Sequence, residues 1–177
     1  MKTLKQHINE ALKIGKNLSE WSSYSCQPKT KKELKEIIKD RIEKEGPKCD
    51  LNDIDVSLIT DMDSLFYDSD FTGDISRWNV SNVKNMQNMF RFSKFNDDIS
   101  NWDVSSVENM SHMFENSKFN KDISKWNTSS VKDMYSMFMR SKFNEDISNW
   151  KINKKCNTWF MFDGCPIKEE YKPKLPE

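Results

Sequence analysis

The chain has 177 residues, of which 36% are hydrophobic and 12% are aromatic. So many aromatic side chains exclude an intrinsically disordered chain, which would lack the apolar groups to form a core. The 28 basic and 28 acidic side chains balance to a net charge of zero, without the basic surface that nucleic acid requires.

Two helices are predicted in the N-terminal segment, 1–46. The first is amphipathic and falls within 1–12. Thr30 and Glu33 form a capping box that predicts the start of the second helix, and Gly46 is expected to end it. The segment is predicted either to cap the following repeats or to dock elsewhere through its first helix. That first helix loosely resembles the short leaders of tailed-phage virion proteins.

The middle of the chain repeats every 24 residues. The repeated motif is Phe-Asn-x-Asp-Ile-Ser-x-Trp, and its tryptophans are Trp78, Trp102, Trp126 and Trp150. Weaker matches extend the frame to five turns over 47–166, followed by a closing strand and tail in 167–177. A fixed period of this kind indicates a repeat architecture, in which each unit buries its apolar face against its neighbours.

Each turn combines two apolar periods. Trp102 and Val104 are two residues apart, as on one side of a strand. Val107, Met110 and Met113 then follow at helical spacing. A serine before each helical run, replaced by Asn153 in the last turn, is expected to cap the free backbone N–H groups. The predicted fold class is therefore an α/β repeat solenoid of five 24-residue turns with an N-terminal helical cap.

The repeated string, continued as Asp-Val-Ser-x-Val-x-x-Met-x-x-Met-Phe, resembles the BspA-like leucine-rich repeats, including those of Mycoplasma-type surface lipoproteins. The resemblance covers 47 to about 171. It implies a right-handed, leucine-rich-repeat-like superhelix that binds proteins or matrix, commonly on cell surfaces. A phage-encoded member of the family is one alternative.

Positions that differ between turns are the candidates for specificity, because the fixed positions build the scaffold. Aromatic, methionine and arginine side chains are enriched at interface hot spots. The predicted partner-binding residues are Tyr135, Met139, Arg140, Trp159 and Phe160, with Arg91 and Phe92 from an earlier turn. Surface drift, together with capping of the last turn by its new aromatic residues, is the competing explanation of these changes.

No catalytic or metal-binding pattern is found in the sequence. The aspartate column at Asp50, Asp74, Asp98, Asp122 and Asp146 is predicted to accept backbone hydrogen bonds rather than to bind calcium. His112 is expected at the surface, and the four cysteines fit neither a zinc site nor a nucleophile motif. We expect no enzyme activity, no cofactor and no metal.

The function predicted is non-catalytic protein–protein interaction through the variable positions of a rigid solenoid surface, for example to mask or inhibit a host protein. The alternative is a structural virion or cell-surface attachment protein anchored through its N-terminal helix. The partner is expected to be a protein, not nucleic acid, and the oligomeric state is left open. Without a signal peptide or a membrane-spanning run, the expected location is the host cytoplasm or a virion.

Overall fold

The computed structural model describes residues 24–176. In that part of the chain there is one α-helix, α1 (Lys31–Glu45), and one short 3-10 helix (Glu169–Tyr171). No strands form there, and successive turns meet only at isolated parallel bridges. The predicted α/β repeat solenoid, with a strand and a helix in each turn of a leucine-rich-repeat-like superhelix, is therefore wrong. The predicted closing strand is also wrong, because the 3-10 helix occupies its place.

Helix α1 confirms the second helix predicted from the sequence. Its N-cap is Thr30, whose hydroxyl accepts the N–H of Glu33 at 3.2 Å. The helix ends at Gly46, which has a φ of 88° and donates its N–H to Ile42. Leu34 is completely buried, in the same apolar cluster as Leu51 and Ile54 of the first turn. The first predicted helix lies outside the described residues, and the domain boundaries stay a prediction.

The segment that was predicted to be helical in each turn instead folds as consecutive tight turns. Asn88 has a φ of 54° and Phe92 a φ of 60°, values outside the helical region. The N–H of Met89 bonds to Met86, and that of Ser93 bonds to Phe90. A positive φ at the third of four residues is the geometry of a type II turn. The same two positions have positive φ throughout the repeats, at Ser64, Asp68, His112, Asn116, Ser136, Arg140, Phe160 and Gly164.

These tight turns let alternate N–H groups bond to the next repeat. Met86 donates to Asn109 at 2.9 Å and Asn88 donates to Ser111 at 3.0 Å. Phe90 and Phe92 donate in the same way to the carbonyls of residues 113 and 115. A helix would satisfy the same donors within the segment. Here they bond between turns instead, and the methionine and phenylalanine side chains of residues 86, 89 and 90 are buried at the same time. The backbone bonds therefore tie each turn directly to the next.

Aromatic ladders run through the core of the stack. Phe114 lies between Phe90 and Phe138, with ring centroids 5.6 Å apart on each side. The indole Nε1 of Trp102 donates to the buried carbonyl of Ile75 at 3.1 Å, and the next two tryptophans of the column repeat this bond. The 24-residue spacing of tryptophan thus corresponds to direct contact between adjacent turns.

The aspartate column has the structural role predicted from the sequence. The carboxylate of Asp122 accepts the N–H of Ser124 at 2.8 Å, and this contact holds the pKa of Asp122 below its usual value. The equivalent bond recurs at Asp50, Asp74, Asp98 and Asp146. These local bonds fix the corner of every turn.

The serines expected to cap helices have a different role. Ser105 donates both its N–H and its hydroxyl to the carboxylate of Asp103, at 3.1 and 2.6 Å. Ser81 and Ser129 bond to the preceding asparagine in the same manner. The predicted N-caps are wrong because no helix follows them.

Two ion pairs hold helix α1 on the first turn. Each contains a carboxylate, so this attachment depends on pH. Arg41 contacts Asp53 at 3.0 Å, and Lys31 contacts Asp61 at 2.6 Å. Burial raises the pKa of Asp53 and of Asp61, but hydrogen bonds and the basic partners outweigh it, so each pKa lies below its ordinary value of 3.8. A lowered carboxyl pKa means stabilisation that is present above the ordinary value and is lost as pH falls through the folded value.

We therefore expect α1 to loosen from the stack as pH falls below about 4. Amide hydrogen exchange of the α1 residues between pH 5 and pH 2, corrected for intrinsic rates, measures this loosening. The double variant Lys31→Gln, Arg41→Gln is the control, because it removes the basic partners. The difference between the two proteins should be largest at pH 5 and should shrink at low pH, where the variant lacks only the bond from Arg41 to the carbonyl of Asp50. A constant difference between them across this range would contradict the assignment.

Candidate interaction surface

Four positions of each turn lie side by side on one surface of the stack. In the second turn they are Gln87, Asn88, Arg91 and Phe92, which flank the buried Met86, Met89 and Phe90. We call this surface the variable face. It consists of residues 63, 64, 67, 68, 87, 88, 91, 92, 111, 112, 115, 116, 135, 136, 139, 140, 159, 160, 163 and 164. Ser111, Glu115 and Ser136 are buried, and the other members are partly or fully exposed. All seven predicted partner-binding residues lie on it.

One aromatic group of the variable face lies near the N-terminal end. The guanidinium of Arg91 lies 5.1 Å from the ring centroid of Phe92. Tyr67 also contacts Phe92, with ring centroids 5.8 Å apart and the rings nearly perpendicular. Tyr67 and Phe92 are both exposed. The structure therefore brings Arg91 and Phe92 together, as predicted members of the binding surface. It also adds Tyr67, which was not predicted from the sequence.

A second aromatic group lies at the C-terminal end. Tyr135 and Phe160 meet edge to face with centroids 5.8 Å apart, and Trp159 lies 6.3 Å from Phe160. Trp159 is 72% exposed and Phe160 is 53% exposed, whereas Tyr135 and Met139 are half-buried. The Sδ of Met139 accepts a hydrogen bond from the hydroxyl of Ser136 at 3.6 Å. The five predicted residues of this end thus lie on adjacent positions of two turns.

A buried carboxylate joins the two aromatic groups. The side chain of Glu115 is 3% exposed and accepts from Arg91 Nη2 at 3.0 Å. Its other oxygen lies 2.5 Å from Nδ1 of His112, whose ring contacts Tyr135 at a centroid distance of 5.1 Å. His112 is half-buried rather than a free surface residue. The sequence did not single out Glu115 and His112 as site residues. Both occupy variable positions, but a variable position does not reveal which side chains contact each other between turns.

Arg140 occupies a backbone conformation that disfavours its residue type. Its φ is 53°, a left-handed value that costs a residue with a Cβ about 1–2 kcal/mol and that asparagine tolerates better. The preceding turn has Asn116 at the equivalent position, also with a positive φ. Arg140 is exposed and forms no ion pair within residues 24–176. The folded state thus gains little from an arginine here.

We predict that Arg140→Asn raises the free energy of unfolding by about 1 kcal/mol. Urea denaturation followed by tryptophan fluorescence measures the change. The reciprocal variant, Asn116→Arg, is the control and should be destabilised. If Arg140→Asn were also destabilised, the arginine would have a structural role that its contacts do not account for.

The metal-ligand types and the thiols of the described residues form no evident reactive site, and burial raises the pKa of all four cysteines. Within 24–176 no group of His, Cys, Asp and Glu side chains could hold a metal. Burial, with a smaller effect from Asp133, raises the pKa of Cys156 to about 11, so this thiol stays protonated at neutral pH. No helix in the described part is long and apolar enough to cross a membrane.

Comparison with known families detects the same repeats. The family described as "Mycoplasma protein of unknown function, DUF285" matches residues 32–118 and, again, residues 94–170. Together the two matches span more than half of the chain. The chain belongs to the DUF285 family. The residues that form the variable face, 63–164, all lie within these two matches. Comparisons with curated proteins and with solved structures gave no match.

Proposed function

We propose that this DUF285 chain is a non-catalytic protein-interaction module whose variable face binds a partner protein. The observation that carries the proposal is where apolar side chains are exposed. Six large hydrophobic side chains are exposed in the described residues, and four of them, Tyr67, Phe92, Trp159 and Phe160, lie on the variable face. Exposed apolar groups concentrated on one surface mark an interaction site, whereas scattered ones do not.

The composition of the variable face suits protein recognition. Tryptophan, tyrosine and arginine are the residue types most enriched at interface hot spots. Here Trp159, Tyr135 and Arg140 supply these types at one end, and Arg91 and Phe92 supply a second, smaller group. The underlying side chains of the second and fourth turns are completely buried, so the contact residues there are held on a rigid support: Met86, Met89, Phe90, Met134, Met137 and Phe138.

The resemblance of the repeats to BspA-like repeats supports the same proposal, because those repeats are associated with binding of proteins or matrix. Masking or inhibition of a host protein is the specific form that we favour. The alternative of an attachment protein anchored through 1–12 depends on residues outside the described part of the chain.

Capture of partners from lysate with the purified chain, followed by mass spectrometry, tests the proposal. The test variant is Tyr135→Ala, Arg140→Ala, Trp159→Ala, Phe160→Ala. The matched control replaces three exposed lysines outside the variable face, Lys121→Ala, Lys125→Ala and Lys151→Ala. We expect one stoichiometric partner that the control retains and the test variant loses. Retention by both variants, with each confirmed as folded, would contradict binding by this face.

A further inference from the structure

The last turn of the stack has a row of backbone donors that find no acceptor within residues 24–176. In the preceding turn, the N–H groups of Met134, Ser136, Phe138 and Arg140 donate to carbonyls of the last turn at 2.8–3.0 Å. The equivalent N–H groups of the last turn belong to Thr158, Phe160, Phe162 and Gly164. None of these four donates to an acceptor within residues 24–176. We call this row the C-terminal edge.

An unpaired row of this kind is a template for another chain segment. In every other turn the row meets carbonyls of a segment that runs parallel to it. Unpaired backbone edges bind extended peptides by adding a strand, with backbone bonds providing affinity and side-chain pockets providing specificity. The occupant must therefore present alternate carbonyls, and a parallel direction places its N-terminal part beside Thr158.

A whole turn from a second copy meets an obstacle at its own first turn. The complementary carbonyls there are those of residues 61, 63, 65 and 67, and α1 lies beside them. Lys31 contacts Asp61 at 2.6 Å, and a cleft of about 550 Å³ lies between the helix and residues 64–69. At the C-terminal edge itself, Pro173 is buried and Lys172 lies 5.7 Å from the ring centroid of Phe162. A second copy would have to displace α1 from Asp61 before its first turn could pair here, so a single extended segment is the occupant that needs the least rearrangement. This segment would pair alongside the C-terminal residues, because Lys172 and Pro176 lie beside Phe162 and Thr158.

The charge beside the C-terminal edge favours an acidic segment. A cavity of about 310 Å³ at its Thr158 end is lined by Lys154, Lys155, Trp159 and Pro176. Both lysines are exposed and form no ion pair within residues 24–176. At the other end Asp163 is exposed and would repel a carboxylate. Acidic side chains are therefore favoured in the N-terminal part of the segment.

The geometry points to a docking site for an extended acidic segment of a partner protein, which pairs its backbone with the C-terminal edge and places its acidic side chains beside Lys154 and Lys155. This inference rests on the proposed function, because the edge adjoins the variable face at Trp159 and Phe160. It adds a second mode of recognition, in which backbone hydrogen bonds accompany side-chain contacts.

Amide hydrogen exchange measured by NMR on the whole chain tests the site. The probe is the acetylated, amidated peptide Glu-Glu-Val-Thr-Val-Thr-Val at millimolar concentration, and its control is Lys-Lys-Val-Thr-Val-Thr-Val. In the free chain, the amides of 158, 160, 162 and 164 should exchange faster than those of 134, 136, 138 and 140. The acidic peptide should slow the first set about tenfold, while the lysine peptide should not. The variant Lys154→Glu, Lys155→Glu should lose the effect of the acidic peptide.

Four results would overturn the inference. Two concern the peptides: neither peptide slows amide exchange at 158, 160, 162 and 164, or both slow it equally. The other two concern the free chain: these amides already exchange slowly in dilute solution, or their exchange slows as the concentration of the chain is raised without peptide. The last two would assign the edge to another segment of the chain or to a second copy. Partner capture is independent of this peptide, so captured partner without peptide protection overturns only the edge. Peptide protection without any captured partner overturns only the proposed function.

Discussion

Replacing Phe114 by alanine is expected to lower the free energy of unfolding by about 3–5 kcal/mol. The ring is completely buried and contacts the phenylalanines of both neighbouring turns, at 5.6 Å on each side, as well as Phe119 at 4.2 Å. Its removal leaves a cavity at the centre of the ladder, which adjacent turns cannot close because their hydrogen bonds fix the distance between them. Urea denaturation followed by tryptophan fluorescence measures the loss.

The variant Phe92→Ala is the matched control, because it deletes the same side chain from the variable face. Phe92 is 40% exposed, and we expect its removal to change the free energy of unfolding by less than about 1 kcal/mol. Similar losses in the two variants would contradict the assignment of Phe114 to the core and of Phe92 to the surface.

The variant Arg91→Met is expected to lose about 3 kcal/mol of stability. It removes the guanidinium that pairs with Glu115, whose side chain is 3% exposed, and leaves this carboxylate with His112 and Asn116. A buried charge that loses its partner costs more than the pair contributed. The reciprocal change, Glu115→Met, should cost less, because Arg91 and His112 are both partly exposed and can reach water.

The double variant Arg91→Met, Glu115→Met is the decisive member of this series. The equivalent position in the fourth turn is already Met139, so apolar side chains suit this column. We expect the double variant to recover most of the stability lost by Arg91→Met. A double-mutant cycle from urea denaturation gives the coupling energy. Additive losses would show that Arg91 and Glu115 do not stabilise each other.

The sequence identifies the core of each turn but not its backbone path. Val83, Met86, Met89 and Phe90 are all buried, as their spacing predicts. The same spacing arises in two ways: from a helix, or from tight turns that send residues 87, 88, 91 and 92 outward in pairs. The signal that separates them is a residue that tolerates positive φ inside the apparent helix, such as Asn88. Burial in the stack then outweighs helical propensity, which is a weak local preference.

The part of the candidate site that can be predicted from the sequence is the set of positions at which equivalent residues differ from turn to turn. The variable positions select Tyr135, Trp159 and Phe92, because their residue types change from turn to turn. They do not reveal the ion pair between Arg91 and Glu115, because a contact between turns depends on side-chain direction as well as on register. Backbone donors at the C-terminal edge have no sequence signal of their own, since every residue except proline carries an N–H group.

Scalar couplings across hydrogen bonds, measured by NMR on the isotopically labelled chain, test the backbone path on which every placement above depends. We predict couplings from the amide nitrogens of residues 86, 88, 90 and 92 to the carbonyl carbons of residues 109, 111, 113 and 115, respectively. Couplings to carbonyl carbons four residues earlier, within 83–92, would show a helix. That result would contradict the stack of tight turns and, with it, the variable face.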